Sequence, residues 1–274
     1  SVEGIIMQQA HDYLAEASEL ANILANQPES IFAQTTLFKS WTINDVIGHL
    51  YMFDVAALKT LQSADEFDVF YTQISERLDQ GMSLLESQHS YLQDLSGKRL
   101  FSKWQKNSQK LGEAYAKSDP KKRLKWVGPD MSAMSSITAR QMETWAHGQE
   151  VFDALGIPRP THDRIKNICH LGVVTFGWSF QNRQIAVPQP EPYVSLKAPS
   201  GKIWEWNNPA SPYSVKGDAL DFATVVTQVR NIKDTNLKIE GQVAKQWMEI
   251  AQCFAGKPEN PPLQGTRFTK QKPI

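Results

Sequence analysis

The chain has 274 residues, 41% hydrophobic and 21% charged, the make-up of a globular protein long enough for one large or two ordinary domains. Lysine plus arginine and aspartate plus glutamate each number 29, so the basic excess that displaces counterions from nucleic-acid phosphates is missing, and Lys121-Lys122-Arg123 with Lys125 reads as a solvated loop. No apolar run reaches the roughly 18–20 residues that span a bilayer, and Ser1-Val2-Glu3-Gly4-Ile5-Ile6 lacks the basic and apolar regions of a signal peptide, so a cytoplasmic location is expected.

Over residues 5–24, Ile5, Ile6, Ala10, Tyr13, Leu14, Ala17, Ala21 and Leu24 recur at three- and four-residue spacings and predict a helix, closed by Asn26-Gln27-Pro28. Thr42 can cap a second helix and Asp45 suits its first turn; Val46, Ile47, Leu50, Phe53, Ala57, Leu58 and Leu61 carry its stripe. Residues 67–95 and 98–117 predict two more helices with a break near Ser96-Gly97. Lys121 to Met131 is a loop or short extended piece, and a long helix follows over 133–155, stopped by Gly156 and Pro158.

After the linker Pro158-Arg159-Pro160-Thr161 the composition shifts. An apolar helix is expected over 163–180, then the period changes from helical to alternating. Tyr193–Ala198 and Lys202–Trp206 read as strands around a turn at Pro199-Ser200-Gly201, and Tyr213 to Lys216 as a third. Helices over 218–231 and 243–255 flank a short strand at Leu237-Lys238-Ile239. The expected organisation is a helical bundle over 1–158, an α+β domain over 160–256 and an extended tail over 257–274. Cys169 and Cys253 fall in apolar helical patterns and suggest reduced core residues rather than a disulfide framework.

The residues most able to carry chemistry lie in Arg140-Gln141-Met142-Glu143-Thr144-Trp145-Ala146-His147-Gly148-Gln149-Glu150. Glu143 and His147, four apart, emerge on one helical face and can grip one cation. Alone, such a pair is better explained by a satisfied surface or core contact. His49, among apolar residues of the second helix, adds a third donor. Two histidines and a carboxylate on two bundle helices match the ligand set of an open zinc site, although a satisfied core histidine remains an alternative for His49. Asp45, one turn earlier, is either a carboxylate on the second ring nitrogen of His49 or a plain first-turn charge. His170 reads as a packed histidine or one facing a domain interface; His11, His89 and His162 read as exposed. Trp41, Trp126, Trp145, Trp178, Trp204, Trp206 and Trp247 read as core or interdomain packing, with Trp126 and Trp145 able to line a pocket.

The run Trp41-Thr42-x-x-Asp45-Val46-x-x-His49-Leu50, together with Glu143-x-x-x-His147, resembles the DinB/YfiT-like metal-binding bundle of the mycothiol-dependent maleylpyruvate isomerases. Ala139 to Gln149 resembles a subgroup in which the bundle precedes a "wyosine base formation"-like α+β domain. The resemblance implies an α+β multidomain fold: a DinB-like four-helix bundle and a small sterol-carrier-like α+β domain. It implies metal ligands at His49, Glu143 and His147, with water at the open position. It also implies an arginine from the second domain in the site; Arg230 is the nearest counterpart and Arg183 a weaker one, while a surface role at a helix end is the other reading of Arg230. Gly217-Asp218-Ala219-Leu220-Asp221 to Gly241 is the portion similar to the isomerase's second domain, and the match thins around the thiol-binding surface.

The expected function is a metal-dependent transferase or isomerase acting on a small molecule with a low-molecular-weight thiol or metal-activated water. Zinc is the expected metal, with nickel or another divalent ion as alternatives. Neither nucleic acid nor membrane is an expected partner, and the chain is expected to act as a monomer or homodimer. The alternative is a non-catalytic small-molecule or lipid-binding protein with a structural metal; a fourth protein ligand would favour it.

Overall fold

Helix α1 (Gln8–Leu24) buries Ala10, Tyr13, Ala17, Leu20, Ala21 and Leu24, the face that the three- and four-residue spacing marks out. The computed structural model describes residues 7–267, so Ile5 and Ile6 lie outside the described residues. Helix α2 (Ile43–Gln62) starts at a capping box: Thr42 Oγ1 accepts from the Asp45 amide and Asp45 Oδ2 from the Thr42 amide. The expected single helix over 67–95 is two, α3 (Ala64–Asp79) and α4 (Leu84–Leu92). Gly81, at φ 94°, takes a conformation that helices exclude, and Ser83 caps the restart by accepting from the Glu86 amide. Helix α5 (Gly97–Ala116) is joined to α6 (Ala133–Leu155) through an antiparallel pair of two-residue strands, β1 (Arg123–Leu124) and β2 (Met131–Ser132). Gly156 ends α6 at φ 68°.

The chain divides into two compact units, Ser1–Ala154 and Leu155–Ile274. In the first, α2 and α6 run antiparallel, and their register is written in buried polar pairs. Tyr115 Oη donates to the Ala57 carbonyl at 2.9 Å and meets Ser136 Oγ at 3.0 Å. One turn along, Asp54 accepts from Tyr13 Oη at 2.8 Å and from Arg140 Nε at 2.9 Å. One turn further, His49 faces Glu143 and His147. Moving up α2 therefore means moving down α6. Buried groups of this kind are costly unless partnered, so each layer specifies a single alignment of the helices. Trp104 and Tyr115, both fully buried, supply apolar bulk between the layers.

In the second unit the expected helix over 163–180 breaks at Thr175 into α7 (Lys166–Val174) and α8 (Phe176–Gln181), after a 3-10 turn over Asp163–Ile165. A four-stranded sheet has the order β4-β3-β5-β6: β3 (Tyr193–Lys197), β4 (Ile203–Trp206), β5 (Ser214–Asp218) and β6 (Lys238–Glu240). The β3–β5 pairing is parallel and the other two antiparallel. Val194, Leu196, Trp204 and Val215 are buried in the sheet, and Phe176, Phe222 and Trp247 join ring to ring in the same core. The architecture is α+β, a helical unit followed by a small sheet-containing one, as expected.

Two helices are shorter than their patterns. Helix α9 (Ala219–Val226) stops because Gln228 sits at φ 61° and the Val229 and Arg230 amides both turn back to the Thr224 carbonyl. Helix α10 (Gln242–Ile250) ends before the extended Ala251. Cys169 and Cys253 are both buried and unbridged, Cys253 lying beyond α10 rather than in a helix. The last described stretch has no helix or strand and is held by side chains. Gln228 Nε2 donates to the Ala251 and Glu259 carbonyls, Asn182 to that of Gly256 and Asn231 to that of Pro262. Among the described residues no helix is long and apolar enough to cross a membrane.

Helices α7 and α9 approach at Gly172, where an added Cβ would stand 2.7 Å from Val226 Cγ2 and 3.0 Å from Val226 Cβ. Val226 is β-branched and cannot swing aside. Gly172→Ala gains about 1 kcal/mol in helix propensity but costs about 1–3 kcal/mol in overpacking. A lower urea midpoint with an unchanged slope is the expected result.

Candidate metal centre

The α2–α6 register brings together all three donors that the sequence singles out. His49 Nε2 lies 3.6 Å from Glu143 Oε2, and His147 Nε2 lies 3.2 Å from the same oxygen. One ligand atom from each residue falls within 4.8 Å of the other two. Tetrahedral zinc bonds of roughly 2.0–2.1 Å place neighbouring donors about 3.3–3.5 Å apart, so the spacing of the carboxylate to both imidazoles fits such an ion. His49 and His147 are only 8% and 9% exposed. Trp41 stacks on the His147 ring at 6.0 Å and an interplanar angle of 6°, while Phe38 meets it edge-on at 5.3 Å. Phe53, one turn beyond His49, packs against that ring at 4.9 Å.

Glu150, to which the sequence reading gave no role, accepts a hydrogen bond at 3.0 Å from His147 Nδ1. It follows His147 by three residues on α6 and is buried at 5% exposure. The signal was available: Glu143-x-x-x-His147-x-x-Glu150 puts two carboxylates on one imidazole at helical spacing. A carboxylate on the outer nitrogen fixes the ring and leaves Nε2 as the atom that would face an ion. Glu150→Gln is expected to weaken zinc binding by about 10–100-fold, read by competition with a chromogenic chelator.

Asp45 does not take the matching position on His49. It is committed to the Thr42 amide, as the third residue of the capping box, and to His89 Nε2 at 2.7 Å. A first-turn carboxylate that folds back onto its own cap does not reach down the helix to the next turn. His49 Nδ1 is consequently buried without a hydrogen-bond partner. His89 is exposed as expected, yet it belongs to this pair rather than standing alone. His11 and His162 are exposed. His170 is exposed too, not packed, and accepts from Trp206 Nε1 at 3.2 Å.

In the second unit, Arg230 lies past the end of α9, half-buried, with Nη1 donating to the Val229 carbonyl. Arg183 is used in packing: its guanidinium holds the Glu259 carbonyl and Asn260 Oδ1. Trp41, Trp145, Trp204 and Trp247 are buried as expected, whereas Trp178 is 37% exposed. Trp126, in the β1–β2 loop, stands 6.4 Å from Phe53 and 5.6 Å from Phe67.

The cluster distributes its charge unevenly. Burial pushes the His49 imidazole down to about 4, since the charged ring has lost its hydration and sits beside His147. Burial also works against the charged form of His147, but the charge of Glu150 and hydrogen bonds to Glu143 and Glu150 overcome it and raise the ring to about 10. For Glu143, burial disfavours the anion, and hydrogen bonds from the two histidines outweigh it, holding the carboxyl well below its ordinary range. Near neutrality the cluster is one carboxylate between a neutral and a protonated imidazole. A divalent cation would replace that single proton.

Residues 13–152 match the family described as the mycothiol maleylpyruvate isomerase N-terminal domain, a segment that contains all three donors. Two uncharacterized proteins of Mycobacterium tuberculosis, from strains CDC 1551 and H37Rv, are each 35% identical over 247 residues, covering 90% of this chain and 95% of theirs. Among solved structures, a mycothiol-dependent maleylpyruvate isomerase shares the fold at a TM-score of 0.54 and 14% identity, over 85% of this chain and 91% of that one. A histidine-to-alanine mutant of that enzyme gives 0.52 and 13%, over 80% and 87%. Sequence and fold thus agree on the relationship that the His49 and Glu143-x-x-x-His147 motifs suggest, and the chain belongs to the mycothiol maleylpyruvate isomerase N-terminal domain family.

Proposed function

We propose that the protein is a metal-dependent enzyme, a transferase or isomerase that acts on a small molecule with a low-molecular-weight thiol or water as the activated partner. The observation that carries the reading is the donor set: two imidazoles and one carboxylate converge on one point, and among the described residues the cluster contains no fourth donor. Three protein ligands with an open position are the pattern of catalytic rather than structural zinc sites. A divalent ion held there, zinc being the one the donors suit, lowers the pKa of a thiol or water bound to it and so supplies a nucleophile near neutrality.

The chain's own residues do the rest. His49, Glu143 and His147 hold the ion, and Glu150 keeps His147 in the tautomer that presents Nε2. Trp41, Phe38 and Phe53 surround the two imidazoles with apolar surface, which keeps bulk water from competing and strengthens every charge interaction within. Arg230 is the second unit's candidate for binding an anionic group of a cosubstrate. Its test is Arg230→Lys, expected to raise KM for that cosubstrate more than it lowers kcat, because a positioning cation mostly supplies uniform binding; kinetics equal to wild type would remove it.

The main test compares zinc-loaded and metal-free protein for consumption of mycothiol, glutathione and cysteine in the presence of small unsaturated acids and electrophiles. Zinc-dependent turnover with at least one thiol, or zinc-dependent hydrolysis without one, is the expected result. Stoichiometric zinc with no turnover in either mode would favour a metal that only staples the bundle.

A further inference from the structure

The layer next to the three donors contains an unsatisfied buried donor. Arg140 is 4% exposed, one helical turn before Glu143 on the same face of α6. An arginine paired with a buried carboxylate ordinarily uses its fork, Nε and Nη2 donating to the two oxygens in parallel. Here Nε donates to Asp54 Oδ1 at 2.9 Å, but Tyr13 Oη already occupies Oδ2 at 2.8 Å. The fork is left half-used, and Nη2 is buried with no hydrogen-bond partner. A buried charged donor without an acceptor is rare and calls for a physical reason. The guanidinium carbon stands 5.8 Å from the centroid of Phe53 and 6.0 Å from that of Trp126, and Phe53 in turn abuts the His49 ring.

We propose that Arg140 is the anion-recognition residue of this site. Its Nη2 receives a carboxylate oxygen of the substrate, Phe53 and Trp126 flank the substrate's flat apolar body, and the reacting end lies one helical turn away at His49, Glu143 and His147. Tyr13 and Asp54 are positioning residues: by capping one oxygen of Asp54, Tyr13 keeps Nη2 free for the ligand, and Asp54 anchors Nε. A guanidinium suits the task because it keeps its charge when buried and offers coplanar donors to a planar anion. The inference rests on reading the three donors as a metal site, but its recognition step does not pass through the metal.

The test is calorimetric titration of acetate, malonate and fumarate into zinc-loaded and metal-free wild type, Asp54→Asn, Arg140→Gln and the double variant Asp54→Asn/Arg140→Gln. Arg140→Gln alone strands Asp54 and risks the fold; the double variant removes both charges together. Expected are binding of at least one dicarboxylate by zinc-loaded wild type, a partial loss in Asp54→Asn, which loosens the anchor of Nε, and a larger loss of about thirtyfold or more in the double variant with zinc content unchanged. Equal affinity in wild type and the double variant, or no binding of any of the three anions by zinc-loaded wild type, would overturn the proposal. If no variant takes up zinc, the reading of the donors as a metal site fails by itself, and Arg140 is then judged on the metal-free titrations. An Arg140-dependent anion affinity there sustains it, and none ends it.

Discussion

His147→Ala should lower the zinc content of protein purified without chelator from about one equivalent to below about a tenth, with the helical circular dichroism largely retained. His147 is the residue on which the cluster converges: Glu143 meets its Nε2, Glu150 its Nδ1, and Trp41 stacks on its face. Removing it leaves one imidazole and one carboxylate, too few to hold an ion against solvent. The bundle does not depend on it in the same way, because the Asp54 and Tyr115 layers and the buried Trp104 are untouched. Elemental analysis and a far-ultraviolet spectrum on one sample decide the matter. A spectrum that collapses together with the zinc would assign the metal a structural role, and wild type that stays below a tenth of an equivalent after zinc reconstitution would end the metal reading.

Zinc uptake should release close to one proton per ion at neutral pH, and affinity should rise roughly tenfold per pH unit between the two histidine values. Those values are about 4 for His49 and about 10 for His147, so in that window only His147 must give up a proton. Titration in two buffers of different ionisation enthalpy yields the proton count directly; a count near zero at pH 7 would contradict the assigned charge states. The metal-free protein carries a linked signature. His147 is raised above its ordinary value near 6.5, so its contribution to stability is complete below that pH and fades as pH rises through about 10. His49 is depressed, so its contribution is complete above about 6.5 and fades as pH falls through about 4. From these two groups the metal-free fold is steadiest near pH 6.5, and zinc should shift that optimum upward by keeping both rings unprotonated.

The three donors were legible because helical spacing is written into the chain: Glu143 and His147 share a face wherever that helix forms, and His49 sits on a second apolar stripe. The arrangement of the stripes was not, since cross-helix register is decided by which buried polar groups find one another. Nothing in the order of residues 13, 54 and 140 marks Tyr13, Asp54 and Arg140 as neighbours. Asp45 illustrates the opposite failure. Its distance from His49 suits a contact, but the local capping box claims the side chain first. Helix limits misled where one glycine or one strained residue interrupts a good pattern, as at Gly81 and Gln228, because stripe counting registers side chains and not backbone angles.

The side chains that hold the end of the second unit also set an order of events during folding. Residues 251–267 form no ladder or helix that could nucleate by itself; their carbonyls wait for amides carried by Asn182, Gln228 and Asn231. Those amides point the right way only after α8 and the turn beyond α9 exist. The segment is therefore expected to dock late, closing loops tens of residues long after their cost in entropy has been met by the core. Its docking reports that the unit beneath it is already native, so a fluorophore placed there would time the last step of folding rather than the first.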